Sequence, residues 1–161
     1  MTTSSQPIAV ITGGARGIGR QLATDLLARG YLVVIGDLDQ AATDATAAEL
    51  GAGASAVRLD VTDRKNLAAV VAHVEATVGP IALWINNAGI MPTGPFRDQK
   101  MAVARAIIDI NYAGVVEGTA AVLPGMLERH AGTIVNLASA TGIKPLAGVA
   151  VYSGTKAAVI A

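Results

Sequence analysis

The sequence predicts an α/β fold, a doubly wound parallel sheet with helices on both faces, and three observations predict it. Short aliphatic runs alternate with stretches of helical period along the chain, the pattern of repeated strand–helix–strand units. The runs are apolar throughout and do not alternate with polar residues, as expected of strands covered on both faces. Hydrophobic residues make up 52% of the 161 and aromatics only 3%. A sizeable core is therefore available, and it must be built from Ala, Val, Ile and Leu.

The strands are expected at Ile8–Thr12, Tyr31–Gly36, Ala54–Leu59, Ile81–Asn86 and Thr133–Leu137, each bounded by Gly, Asp or Asn. The first helix, Gly17–Arg29, carries Ile18, Leu22 and Leu26 on one face. The second, Asp39–Leu50, is Ala-rich and opens on a capping Asp. The third, Asp63–Val78, carries Leu67, Val70, Val71, Val74 and Val78 at helical spacing. A longer helical pattern covers about Gln99 to His130, with a kink expected at Pro124, whose ring removes a helix hydrogen bond. A last helix begins near Val151. No repeat, low-complexity tract or linker interrupts the pattern, so residues 1–161 are read as one domain. The closing Ala157–Ala161 has no Gly or Asn stop and no basic last turn. The chain is expected to stop inside a core-facing helix, with the sheet incomplete at its C-terminal edge and the free chain prone to self-association.

Composition narrows the function. Twelve basic and twelve acidic residues cancel, and no run of like charge offers a footprint for nucleic acid or a membrane surface. With no cysteine there is no disulfide, thiolate metal site or thiol nucleophile. His73 and His130 have no partner at ligand spacing, so no metal is assigned. Met1–Pro7 lacks the basic start of a secretory leader. The longest charge-free stretch, Ala76 to Phe96, is broken by Gly, Pro and Asn in a way a lipid-exposed helix does not tolerate. A soluble, cytoplasmic protein is expected.

The first chemistry-bearing motif follows the first strand: Thr12-Gly13-Gly14-Ala15-Arg16-Gly17-Ile18-Gly19. Its glycines let a backbone approach a pyrophosphate, and the next helix offers the free N–H groups and positive dipole end that bind an anion. The spacing is G-x-x-x-G-x-G, and an ordinary strand-to-helix turn is the competing reading. Asp37 ends the second strand, 18 residues after Gly19, near the offset of a carboxylate that binds the adenosine ribose. Its charge repels a 2′-phosphate and favours NAD over NADP. Arg16 pulls weakly toward NADP, because a guanidinium can pair with that phosphate. A helix cap is the competing reading of Asp37.

Taken in order, Thr12–Gly19, Asn86-Asn87-Ala88-Gly89, Asn111, Ser139 and Tyr152-Ser-Gly-Thr-Lys156 resemble the short-chain dehydrogenase/reductase family, over Pro7 to Ala161. The resemblance implies a Rossmann-type sheet with cofactor and catalytic sites in one domain. It implies an oxidoreductase of small-molecule alcohols and carbonyls using NAD(H) or NADP(H), and a homo-oligomer in the complete enzyme. Family members continue well past this point, so the chain is read as the N-terminal part, without most of the substrate pocket. Tyr152 fits the acid–base. A phenol near pKa 10 needs help at neutral pH, and Lys156, one helical turn on, favours the phenolate. By resemblance Ser139 bonds the substrate oxygen and Asn111 holds a water for proton relay. Gly13, Arg16, Gly17, Ile18 and Gly19 form the phosphate loop; Asp37 takes the ribose. Asp60 bonds the adenine amino group with Val61 beside the ring, and Asn87, Ala88 and Gly89 flank adenine and ribose. Plainer readings stand beside these: a surface Tyr–Lys pair, a turn hydroxyl at Ser139, a backbone-bonded amide at Asn111, a cap at Asp60. A nucleotide-binding fragment without turnover is the alternative function.

Overall fold

A computed structural model describes residues 6–161; the opening residues 1–5, on which the reading of the leader partly rests, lie outside the described residues. The five aliphatic runs form one parallel sheet: β1 Ile8–Thr12, β2 Leu32–Asp37, β3 Ala54–Arg58, β4 Ile81–Asn86 and β5 Thr133–Asn136, in the order β3-β2-β1-β4-β5. Val10 stands beside Val34 on one side and Trp84 on the other. β3 and β5 are the edges, and Val135 on β5 is exposed.

Among the described residues six α-helices accompany the sheet: α1 Gly17–Ala28, α2 Gln40–Leu50, α3 Arg64–Thr77, α4 Met101–Ile108, α5 Gly114–Glu128 and α6 Ala150–Ile160. Alternation along β1 sorts the two faces. Ile8 and Val10 pack with Leu67, Val70 and Val74 of α3 and Val122 and Met126 of α5. Ala9 and Ile11 pack on the other face with Leu22, Ala23 and Leu26 of α1 and Ala47 and Leu50 of α2. All five residues of β1 are buried, which is why its sequence carries no polar alternation. Asp39 caps α2 by accepting from Ala42 N, and Asp63 caps α3 by accepting from Lys65 N and Asn66 N.

The long helical pattern carries one irregularity more than expected. α5 continues through Pro124, and a further irregularity, not expected from the sequence, is a π turn at Asp109–Ala113 between α4 and α5. Such a turn inserts a residue and re-aims its side chains; here it contains the fully buried Asn111. The run Met101–Glu128 is long and apolar enough to cross a membrane by composition. In the fold it is a covering helix, with Ile107, Val115, Val122 and Met126 buried.

Behind β4 lies a polar cluster in an aliphatic core. Trp84 is fully buried, and its Nε1 donates to Asn86 Oδ1 at 2.7 Å. Asn86 Nδ2 donates to Asn136 Oδ1 at 2.8 Å and to Thr119 Oγ1 at 3.2 Å. One carboxamide thus joins β4, β5 and α5. Replacing it with an apolar group leaves the indole N–H and the Asn136 oxygen unpaired. Asn86→Leu is expected to lower the unfolding free energy by about 2–4 kcal/mol in urea melts. A loss below about 0.5 kcal/mol, the range of an inert surface change, contradicts this role.

Candidate active site

The C-terminal ends of β1 and β4 lie side by side, and their chains leave toward opposite faces of the sheet, the place where open α/β sheets form a crevice. Two residues hold the crevice's walls. Thr12 Oγ1 accepts from Asn87 N and Ala88 N, both at 3.0 Å. Asn87 Nδ2 donates to Thr12 O and Gly13 O, both at 2.9 Å. Gly13 has φ +66, and a Cβ on it would sit 2.8 Å from Ala88 Cα. A Cβ on Gly19 would run into the Gly13 carbonyl and the Asn87 amide. The loops therefore meet at backbone distance, which only glycine permits.

The crevice has a volume of about 540 Å³, and its lining follows the sheet order. Toward β2 and β3 stand Arg16, Asp37, Leu38, Asp60, Val61 and Thr62. Gly13, Ile18, Asn87, Ala88 and Gly89 occupy the middle, and Tyr152 and Lys156 the β5 side. Of the residues singled out in the sequence, Gly17, Gly19, Asn111 and Ser139 are not on this lining.

Asp37 accepts from Ala15 N at 3.3 Å and from Asp39 N at 3.4 Å. Since Asp39 caps α2, the cap reading of Asp37 falls away. Asp60 Oδ1 accepts from the Thr62 hydroxyl at 2.6 Å and from Thr62 N at 2.9 Å. These bonds, the hydroxyl first, hold its carboxyl below the usual carboxylate range. Asn111 Oδ1 accepts from Ile90 N and its Nδ2 donates to Ile90 O, both at 2.8 Å. Its visible bonds are those of a backbone-bound amide that pins the segment after β4. Ser139 accepts from Thr141 N and shares a hydrogen bond of 3.0 Å with the Thr141 hydroxyl, so its partners lie in its own turn.

Tyr152 and Lys156 lie one turn apart on α6, with Lys156 Nζ 5.8 Å from the centre of the Tyr152 ring. The ammonium donates to the Leu137 carbonyl at the end of β5. Lys156 is buried, and burial pushes its pKa below the ordinary lysine value. Sequence reasoning passed over several lining residues: Leu59, Ile90, Met91, Ile110, Leu137 and Ala138, besides Leu38 and Thr62. Thr62 was legible as the residue two beyond an Asp, a frequent turn partner. The others contribute apolar wall, for which no local signal exists.

The family model described as short chain dehydrogenase matches residues 7–161. The chain belongs to this family. Galactitol 2-dehydrogenase of Agrobacterium fabrum is 39% identical over 154 residues, covering 95% of this chain and 60% of that protein. 2-(S)-hydroxypropyl-CoM dehydrogenase 3 of Xanthobacter autotrophicus is 36% identical over 156 residues, covering 95% and 61%. A 3-alpha-(or 20-beta)-hydroxysteroid dehydrogenase of Mycobacterium tuberculosis is 36% identical over 152 residues, covering 94% and 58%. The chain spans about three-fifths of the length of these curated relatives. The crystal structure of serine dehydrogenase from Escherichia coli superposes with a TM-score of 0.89 at 33% identity, covering 94% of this chain and 71% of that one.

The lowered Lys156 pKa has a sign that stability measurements read. Between the lowered folded value and the ordinary lysine value, the unfolded chain binds more protons, so the contribution of this group to stability rises with pH. The stability of wild type relative to Lys156→Met is expected to increase as pH rises through that window. A difference independent of pH there contradicts the assignment of burial as the cause.

Proposed function

We propose that this chain carries the NAD(H) site and the acid–base pair of an oxidoreductase that moves a hydride between a nicotinamide and a secondary alcohol or ketone. The single observation that carries the reading is that Tyr152 and Lys156 open onto the same crevice as the Gly13 loop and Asp37. The crevice fits a dinucleotide. Its floor is backbone held close by Gly13 and Gly19, and Asp37 and Asp60 offer carboxylate acceptors toward the β2–β3 side. The relatives' names, which specify galactitol, hydroxypropyl and hydroxysteroid substrates, support the alcohol or carbonyl class.

In this reading the phosphate loop, Gly13 with Arg16 to Gly19, takes the pyrophosphate at the start of α1. Asp37 accepts from the ribose hydroxyls and disfavours a 2′-phosphate, so NAD is preferred to NADP. Asp60 accepts from the adenine amino group with Val61 beside the ring, and Asn87, Ala88 and Gly89 wall the middle. When bound, the nicotinamide supplies or takes the hydride. Tyr152 Oη gives a proton to the carbonyl oxygen in reduction and takes it back in oxidation. Lys156, when protonated, lowers the cost of the phenolate. Ser139 bonds the substrate oxygen, and Asn111 keeps Ile90 and the crevice wall in place while serving the proton relay. The complete enzyme is taken to be a cytoplasmic homo-oligomer; exposed Val116, Leu123 and Leu127 on α5 support the association. Binding without turnover is the second reading, favoured by Ser139 being bonded within its own turn.

Two measurements test this. Fluorescence titration is expected to give NADH a dissociation constant at least about 30-fold below that of NADPH, roughly 2 kcal/mol. Asp37→Ala should shrink that ratio to within about threefold. Equal affinities in wild type remove Asp37 from cofactor choice. With a panel of ketones and NADH, Tyr152→Phe should cut turnover by at least about 100-fold, the lower range for losing a general acid, with NADH affinity unchanged. Unaltered turnover removes Tyr152 from the mechanism, and NADH binding with no wild-type turnover supports the second reading.

A further inference from the structure

The peptide of Ala15, in the middle of the glycine loop, is held on both sides. Its N–H is directed at Asp37 Oδ2 at 3.3 Å. Its carbonyl accepts from the Thr46 hydroxyl at 2.7 Å, across 31 residues of sequence. Ala15 and Thr46 are both buried, 6% and 5% exposed, so water does not compete for this bond. The preceding residue continues the attachment: Gly14 N donates to Gly36 O at 3.0 Å, which extends the β1–β2 pairing into the loop. Thr46 also departs from what a helical threonine usually does. Thr43, one turn earlier on α2, donates back to Asp39 O at 2.6 Å, within its own helix. Thr46 spends its only donor on the loop.

Beyond Ala15 the next polar tie to α2 is the exposed Arg20–Glu49 ion pair at 2.7 Å, a turn further on. Arg16 is the extended residue before α1, which has no side-chain cap and no acidic residue in its first turn. The N–H groups of that turn therefore have no partner inside the helix. Arg16 and Ile18 line the crevice, whereas Ala15 does not.

We propose that Thr46 is a positioning residue for phosphate recognition: its hydroxyl draws the Ala15 carbonyl back against α2 and thereby fixes where Arg16 and the first turn of α1 face the crevice. The inference rests on the dinucleotide reading above. It concerns the pyrophosphate first; the adenosine side, formed by Asp37 and Asp60, is reached from Ala15 only through the longer 3.3 Å bond to Asp37.

The experiment compares three probes, NADH, ADP-ribose and adenosine, on the full chain and its Thr46→Val and Thr46→Ser variants, with a thermal melt of each. Thr46→Val keeps the shape and removes the donor. It is expected to weaken NADH and ADP-ribose equally, by about tenfold, the size of one lost buried hydrogen bond, with adenosine within about twofold of wild type. Thr46→Ser, which restores the hydroxyl, should return both phosphate-bearing probes to within about twofold. Should the Val variant not fold, Thr46→Ala carries the same comparison. Unchanged ADP-ribose binding overturns the proposal, and so does an equal loss for adenosine, which marks Thr46 as a support of the whole fold. Failure of wild type to bind NADH at all defeats the dinucleotide reading itself.

Discussion

Thr12 and Asn87 hold together two chains that the topology drives apart. β1 and β4 are neighbours in the sheet, yet β1 leads to α1 on one face and β4 leads, by way of α4, to α5 on the other. A crevice opens wherever winding reverses in this way, and its shape depends on what fixes the rims. Here the fixing is four hydrogen bonds between the Thr12–Gly13 backbone and hydroxyl and the Asn87–Ala88 segment. The absence of a Cβ at Gly13 lets the two rims touch. Everything proposed for the crevice presupposes that junction.

Around it, polar side chains buried in an aliphatic molecule serve placement. Asn86 ties β4 to β5 and α5, Asn111 ties the π turn to Ile90, and Thr46 ties α2 to Ala15. Each satisfies backbone or amide groups that burial would otherwise leave unpaired, a cost of about 1–3 kcal/mol per group. The ammonium of Lys156 follows the same logic: its partner is the Leu137 carbonyl, so the end of β5 sets where the amine stands beside Tyr152.

How much of this was legible in the sequence follows from range. β1, β2 and β4 were readable because a strand covered on both faces is largely apolar; the edge strands β3 and β5 are partly exposed and do not meet that expectation, and across the five strands six of ten ends coincide with those expected while four differ by one residue. Asp39 was readable as a cap, since capping acts within one turn; the cap of α3 is Asp63, and the plainer reading of Asp60 as a cap gives way to its bonds with Thr62. The glycine loop and the Tyr152–Lys156 pair were readable as motifs. Pro124 inside α5 was readable because a proline is a local signal; the π turn at Asp109–Ala113 has none. Thr46 was opaque for the same reason, its partner lying 31 residues away; a backbone-bonded amide at Asn111 was expected, but not that its partner is Ile90, 21 residues away. At Ser139 the hydrogen bonds to Thr141 are those of the plainer reading, a turn hydroxyl.

The central claim is that the crevice between the β1 and β4 loops receives a dinucleotide lengthwise, adenosine toward β3 and nicotinamide toward α6. Amide chemical-shift mapping of the isotope-labelled chain during addition of NAD tests it most directly. The account predicts perturbations confined to Gly13–Gly19, Asp37, Asp60–Thr62, Asn87–Ile90 and the Tyr152–Lys156 turn, with ADP-ribose reproducing all but the last. Perturbations centred elsewhere, or none at saturating NAD, would contradict it.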